Sequence, residues 1–292
     1  MKLVTFNHPN DGGYRVGALV SDTEIADLTT FVSNTGLSAY DVLDCFDLDG
    51  SFYKKARTAV DNGDFPAVVK RSDVKLASPV PRPGKIICIG LNYRDHAAES
   101  GMEIPKSPII FSKFSSCAIG ADKPIVIPEG CTQLDYEAEL AFIVGRRARN
   151  VGRDQALDYV FGYANFNDVS ARDFQFADGQ WQRGKSCETF APMGEFVATA
   201  DEIADPQDLS IKLRLNGEVM QDSNTCQMIF GVAELIEFLS RHITLEPGDV
   251  VATGTPPGVG FARKPPVYMK AGDRVEVEIA GLGALSNPVN HV

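Results

Sequence analysis

Positive charge is scarce in this 292-residue chain: 28 Lys and Arg stand against 39 Asp and Glu, a formal net charge of −11. A surface of that sign repels phosphate backbones and anionic headgroups, which argues against nucleic acid or membrane as a partner. It leaves a small anionic substrate open, because a local cation can dominate a site. Long apolar runs are missing too: none approaches the roughly 20 residues of a transmembrane helix. The segment from Met1 to Pro9 has no signal-peptide apolar core. Cys45, Cys88, Cys117, Cys131, Cys187 and Cys226 form no C-x-x-C pair and show no zinc or disulfide spacing. They read as small core residues or free thiols. The expectation is a reduced, cytoplasmic protein. No serine sits in a Gly-x-Ser-x-Gly elbow. The Gly/Pro loop over 253–260 lacks the Gly-Lys-Ser/Thr of a phosphate-binding loop. Internal repeats and low-complexity tracts are absent.

What is present is ordinary for a globular chain, with 44% hydrophobic and 23% charged residues and length enough for a sizeable core. Residues 1–75 read as a small separate unit. It holds a strand over 2–6, a turn at Asp11-Gly12-Gly13, a hairpin of 14–20 with 24–28, and short helices near 38–45 and 51–62. Pro79, Pro81 and Pro83 then make an extended linker. The boundary falls at about residue 76, with the large domain over 76–292. That domain opens with a buried strand over 85–90 and a helix from Asp95 that Gly101 ends. Short strands over 108–111 and 125–127, a helix near 153–160 and a polar, aromatic loop over 171–186 follow. Next come a strand over 211–215, the Asn216-Gly217 hairpin signal, and a helix burying Val232, Leu235, Ile236 and Leu239. A strand over 250–252, a last strand over 275–279 and a turn at Gly281-Leu282-Gly283 complete the chain. Many short strands and few helices predict a β-rich roll or barrel with peripheral helices.

The most informative stretch begins at Leu134. Asp135, Glu137 and Glu139 alternate with Tyr136, Ala138 and Leu140, so in a strand the three acids share a face. Residues 140–144 are apolar throughout and read as a buried strand. Two carboxylates two residues apart repel by about 2 kcal/mol at an effective dielectric near 20. A divalent cation would relieve that repulsion, and Asp168, in the turn-like run 165–168, offers a third oxygen. Such ligands suit Mg²⁺ or Mn²⁺. The plain alternative is a sheet edge guarded by acids.

Other residues carry two readings each. His96 and Glu99, three apart on a helix, are a general-base dyad or a surface pair. Lys185 is an electrostatic clamp or a solvated lysine. The 253–260 loop is a simple turn or a backbone cradle for an anion. The segment from Asn92 to Gly101 shows Ala97 and Ala98 as its clearly apolar residues. A short helix with so little to pack is marginal, so the segment is expected to be mobile until substrate closes it.

These pieces occur together in one known family. The chain resembles the fumarylacetoacetate hydrolase superfamily through 89–99 (Ile-Gly-Leu-Asn-Tyr-Arg-Asp-His-Ala-Ala-Glu), 135–140 (Asp-Tyr-Glu-Ala-Glu-Leu), 167–173 (Asn-Asp-Val-Ser-Ala-Arg-Asp), 180–186 (Gln-Trp-Gln-Arg-Gly-Lys-Ser) and 253–260 (Thr-Gly-Thr-Pro-Pro-Gly-Val-Gly). The resemblance covers roughly residues 76–290, and residues 1–75 look like the small N-terminal α+β domain many members carry. It implies a mixed β-sandwich roll, a β-rich α+β fold, usually a homodimer. It implies that Glu137, Glu139 and Asp168 bind Mg²⁺ or Mn²⁺, and that His96 and Glu99 activate water. Lys185, Gln175 and Arg183 would contact substrate oxygens, and Thr255 with its neighbour Gly254 would hold a carboxylate. Cys187-Glu188 departs from the aromatic-then-acidic pair expected after Lys185-Ser186, which bears on substrate shape.

The expected activity is hydrolysis of a C–C bond in a β-diketo acid of the acylpyruvate type, through a metal-bound enolate. The alternative is an isomerase or decarboxylase on the same site, acting on 2-hydroxyhepta-2,4-diene-1,7-dioate or oxaloacetate. A non-catalytic binding protein is disfavoured, because the His96–Glu99 pair and all three acids are present.

Overall fold

The computed structural model describes residues 1–7, 12–99 and 101–291. Asp11 of the expected turn and Ser100 of the expected lid lie outside them. Among the described residues the fold is β-rich α+β, built on two large sheets with two small two-stranded ones beside them. The larger has 11 strands, in the order Ala67–Lys70, Glu24–Asp27, Tyr14–Leu19, Lys2–Asn7, Val197–Thr199, Val160–Asn167, Ala138–Val144, Val250–Ala252, Ile86–Gly90 and Ile109–Lys113, with Lys75–Leu76 also pairing Lys2–Asn7. The sheet continues across residue 76, because Lys2 pairs with Ala198 and Leu3 with Val197.

The second sheet has five strands: Glu218–Asn224, Ser210–Leu215, Arg274–Ile279, Gly283–His291 and Ile125–Ile127. Its middle strands pack on Ala138–Val144 and Val160–Asn167 of the first. Those two central strands are buried at every position, as their unbroken apolar runs require. They pair antiparallel, Ala138 opposite Asn167 through Ile143 opposite Gly162, so the first strand begins at the end of the sandwich where the second one finishes. The Val232–His242 helix buries Val232, Leu235, Ile236 and Leu239, the predicted stripe, against a 3₁₀ helix at Arg153–Tyr159.

Several local expectations change. Residues 171–186 hold two short helices, Arg172–Phe176 and Gln182–Lys185, where a loop was expected. Gly283–His291 adds a strand after the one expected to be last. All six cysteines are free thiols, with Cys45, Cys88 and Cys117 buried. No helix among the described residues is long and apolar enough to cross a membrane.

Candidate active site and metal centre

Glu137 directly precedes the strand Ala138–Val144, Glu139 is its second residue, and Asp168 directly follows the paired strand Val160–Asn167. The antiparallel register brings them together, with the Asp168 N–H donating to the Glu137 carbonyl at 2.9 Å. One oxygen from each carboxylate lies within 4.8 Å of the others, and all three residues are buried. Asp135 does not continue the row. The regular strand begins only at Ala138, and Leu134–Asp135 pairs with Ser170–Ala171 instead. The Asp135 carboxylate accepts from Arg172 Nε at 2.8 Å and from the N–H groups of Gly260 at 2.7 Å and Phe261 at 3.1 Å. It anchors a loop and stays out of the trio.

Three buried cations surround the trio. Lys185 Nζ donates to Glu137 at 2.7 Å and to Asp168 at 2.8 Å. Arg172 Nη2 donates to Glu137 at 2.6 Å, and Lys113 Nζ pairs with the other Asp168 oxygen. Burial pushes the Glu137 carboxyl up, but Lys185 and Arg172 reverse this and hold it below the usual range. Burial opposes the charge on Lys185 as well, yet Asp168 and Glu137 raise its pKa above the ordinary lysine value. Glu139 is the carboxylate left over. Its one hydrogen bond among the described residues comes from the Gly254 N–H at 2.9 Å. Burial, then Asp168 and Glu137, push its pKa well above the ordinary value. A buried anion without a cationic partner, beside two others, is costly. A hard divalent cation with an oxygen preference fits this donor set and supplies the missing charge.

The loop over 253–260 ties the rest to the trio. Three of its N–H groups go to carboxylates of the site: Gly254 to Glu139, Gly258 to Glu99 at 3.1 Å, and Gly260 to Asp135. Glu99 Oε2 lies 3.3 Å from His96 Nδ1, and His96 is buried. The Arg94–Glu99 helix is tied down more firmly than its sequence promised. Tyr93 and Ala97 are buried, and Asn92 donates to the carbonyls of Phe230 and Thr253 at 3.0 and 2.7 Å. Arg94 reaches the Met228 carbonyl at 2.6 Å, and Ser223 donates to Asp95 at 2.6 Å. Ala98, expected to pack, is exposed.

Residues 85–290 match the family model for the fumarylacetoacetate (FAA) hydrolase C-terminal region. The chain belongs to the fumarylacetoacetate hydrolase family. It is 44% identical over 292 residues to the oxaloacetate tautomerase fahd2, mitochondrial, of Xenopus laevis, covering 99% of this chain and 90% of that protein. The fumarylacetoacetate hydrolase structure from Exiguobacterium antarcticum is similar over 100% of both chains, with 37% identity and a TM-score of 0.85. A 2-hydroxyhepta-2,4-diene-1,7-dioate isomerase structure from Mycobacterium marinum has 31% identity and a TM-score of 0.77, covering 100% of this chain and 98% of that one.

Within this fumarylacetoacetate hydrolase fold, Glu137, Asp168 and Lys185 form one hydrogen-bonded and ionic cluster beside Glu139, with Gln175 accepting from Arg172 at 2.9 Å. Thr255 follows Gly254 and accepts from Gln221 Nε2 at 2.9 Å. Arg183 stands apart: its side chain is more than half exposed and pairs with Asp178 at 3.4 Å. Sequence reasoning gave no role to Lys113, Arg172, Asn92 or Gln221. Arg172 lies inside a quoted motif. Lys113 gave a weaker signal, a lysine on the same strand face as Phe111.

Proposed function

We propose that this protein interconverts the keto and enol forms of a small 2-oxo dicarboxylic acid of the oxaloacetate type, with Mg²⁺ or Mn²⁺ at Glu137, Glu139 and Asp168. The observation that carries the reading is the Glu139 carboxylate, buried beside two others with no cationic partner of its own among the described residues. Similarity to an oxaloacetate tautomerase along nearly the whole chain supports the substrate class. When bound, the ion supplies Lewis-acid polarisation of the 2-oxo group. The chain's own residues do the rest. Thr255 holds a substrate carboxylate. Lys185, kept charged by Glu137 and Asp168, donates a hydrogen bond to the oxygen that becomes negative. His96, oriented by Glu99, takes the proton from C3 and returns it through a water to the enolate oxygen before release.

A second reading, hydrolysis of an acylpyruvate C–C bond, draws on the same His96–Glu99 pair acting on water. The two differ in whether a C–C bond breaks. The decisive assay follows enol absorbance of oxaloacetate and of an acylpyruvate with Mg²⁺, with Mn²⁺ and with chelator. Metal-dependent equilibration of oxaloacetate, with the acylpyruvate intact, is expected. Rapid acylpyruvate cleavage without oxaloacetate turnover would reverse the order of the readings. Cytoplasmic residence is likewise our proposal, tested by fractionation against the mitochondrial placement in the Xenopus relative's name.

A further inference from the structure

Gln221 sits on Glu218–Asn224 in the smaller sheet, outside every motif that carries the family resemblance, yet its side chain is 1% exposed. We propose that Gln221 is a positioning residue: it fixes the direction of the Thr255 hydroxyl, so that Thr255 donates to the substrate carboxylate. This rests on reading Thr255 as a carboxylate contact. The partners of the Gln221 amide determine which way it faces. The Ala138 N–H can only donate, and it lies 2.9 Å from Oε1. The Pro256 carbonyl can only accept, and it lies 2.8 Å from Nε2. Rotating the amide by half a turn would set two donors against each other and two acceptors against each other. The second Nε2 hydrogen therefore goes to Thr255 Oγ1 at 2.9 Å.

Thr255 thus accepts from Gln221 and has its own hydrogen left to place. Among the described residues no oxygen accepts it. At 6% exposure, a hydroxyl with an unspent hydrogen is a donor short of an acceptor. It stands one residue from Gly254, whose N–H reaches Glu139. The other end of the same amide holds Ala138, which lies between Glu137 and Glu139. One side chain therefore sets both the sense of the hydroxyl and its offset from the carboxylate trio.

The test measures KM and kcat for oxaloacetate and the inhibition constant of oxalate, both with Mg²⁺, for Thr255→Val, Gln221→Met, their double variant and Gln221→Glu. A hydrogen bond from a neutral donor to a carboxylate corresponds to roughly 10- to 100-fold in affinity. Thr255→Val is expected to raise KM and the oxalate constant by about that factor, with kcat changed less than about threefold. Gln221→Met is expected to give most of the same rise, and the double variant no more than Thr255→Val alone, because Gln221 acts through Thr255. Gln221→Glu keeps the Ala138 contact but presents an acceptor to Thr255, so it captures the hydrogen and matches or exceeds Thr255→Val. It also carries the test if Gln221→Met does not fold. Normal constants in both Gln221 variants beside a raised value in Thr255→Val, or additive effects in the double variant, overturn the inference alone. Normal constants in Thr255→Val overturn the carboxylate reading of Thr255 itself, and the inference with it.

Discussion

Charge at the site is balanced residue by residue, and the remainder falls on Glu139. Asp135 and Glu137 share Arg172, Glu137 and Asp168 share Lys185, and Asp168 also has Lys113. Two substitutions should therefore move metal-free stability in opposite directions. Glu139→Gln removes an acid that burial and its two carboxylate neighbours make costly to ionise, so the chelator-treated protein should unfold at higher denaturant while Mn²⁺ binding is lost. Lys113→Met leaves Asp168 short of a partner and should cost about 3–5 kcal/mol, the usual penalty for breaking a buried pair. Denaturant titrations with and without chelator, and a Mn²⁺ titration, check both. Tight Mn²⁺ binding by Glu139→Gln would refute the assignment. Away from the site, Asp249 is buried against Lys85, and among the described residues its Oδ1 has no hydrogen-bond partner. Burial raises its pKa above the ordinary aspartate value, although Lys85 opposes this. The folded state then holds this proton more tightly than the unfolded chain. Its contribution is full below the unfolded value and falls as pH rises through the folded one. Asp249→Asn should flatten the dependence of melting temperature on pH in that window. An unchanged slope would show that Asp249 does not titrate there.

Among the elements, the Arg94–Glu99 helix departs furthest from its sequence. Its apolar count gave a loose segment, yet its approach is anchored by Asn92, which bonds to Phe230 and Thr253 far along the chain. Local periodicity cannot report acceptors that arrive from loops elsewhere in the chain. Asn92→Ala should cost roughly 2–4 kcal/mol by orphaning buried backbone groups, and limited proteolysis should then cut near the helix. His96→Ala should leave the fold intact and lower kcat by about 10² to 10⁴, the usual range for a general base. Wild-type rates would remove His96 from the chemistry. The adjoining 253–260 loop has its own constraint. Gly254 has φ +97°, and a Cβ there would lie 2.7 Å from Asn92 Cβ, so Gly254→Ala should disturb the Glu139 contact and the helix anchor together. The carboxylate trio was legible because alternating acids run into an apolar strand, and the turn-like run over 165–168 offered Asp168 as a third oxygen. The final strand was not. Its buried positions include Asn287, which bonds to the Gly120 and Lys123 carbonyls, and Pro288 follows it. Both residues erase the usual strand signature.

For the whole molecule, we expect a two-fold homodimer, and light scattering that gives a monomer at micromolar concentration would refute it. The N-terminal strands belong to the large sheet, and Phe46 and Tyr53 stack edge-on against Phe161 at 5.0 and 5.6 Å. Deleting residues 1–75 should bare the Val197–Thr199 edge together with Phe161, and such a surface associates. Size exclusion of the 76–292 fragment should show aggregates, and a monodisperse, active fragment would overturn this. The same pairing of Lys2–Asn7 with Val197–Thr199 also sets a timetable. Translation at about 5–20 residues per second separates these partners, about 200 residues apart, by roughly 10–40 s. Lys2–Asn7 can find Tyr14–Leu19 as soon as both are made, and Lys75–Leu76 covers Phe6 and Asn7 on its other edge, but Lys2 and Leu3 on that edge stay open until most of the chain has been made. The nascent hairpin is therefore the species on which a chaperone would act, and slowing synthesis between residues 76 and 197 should lower soluble yield without changing the native state.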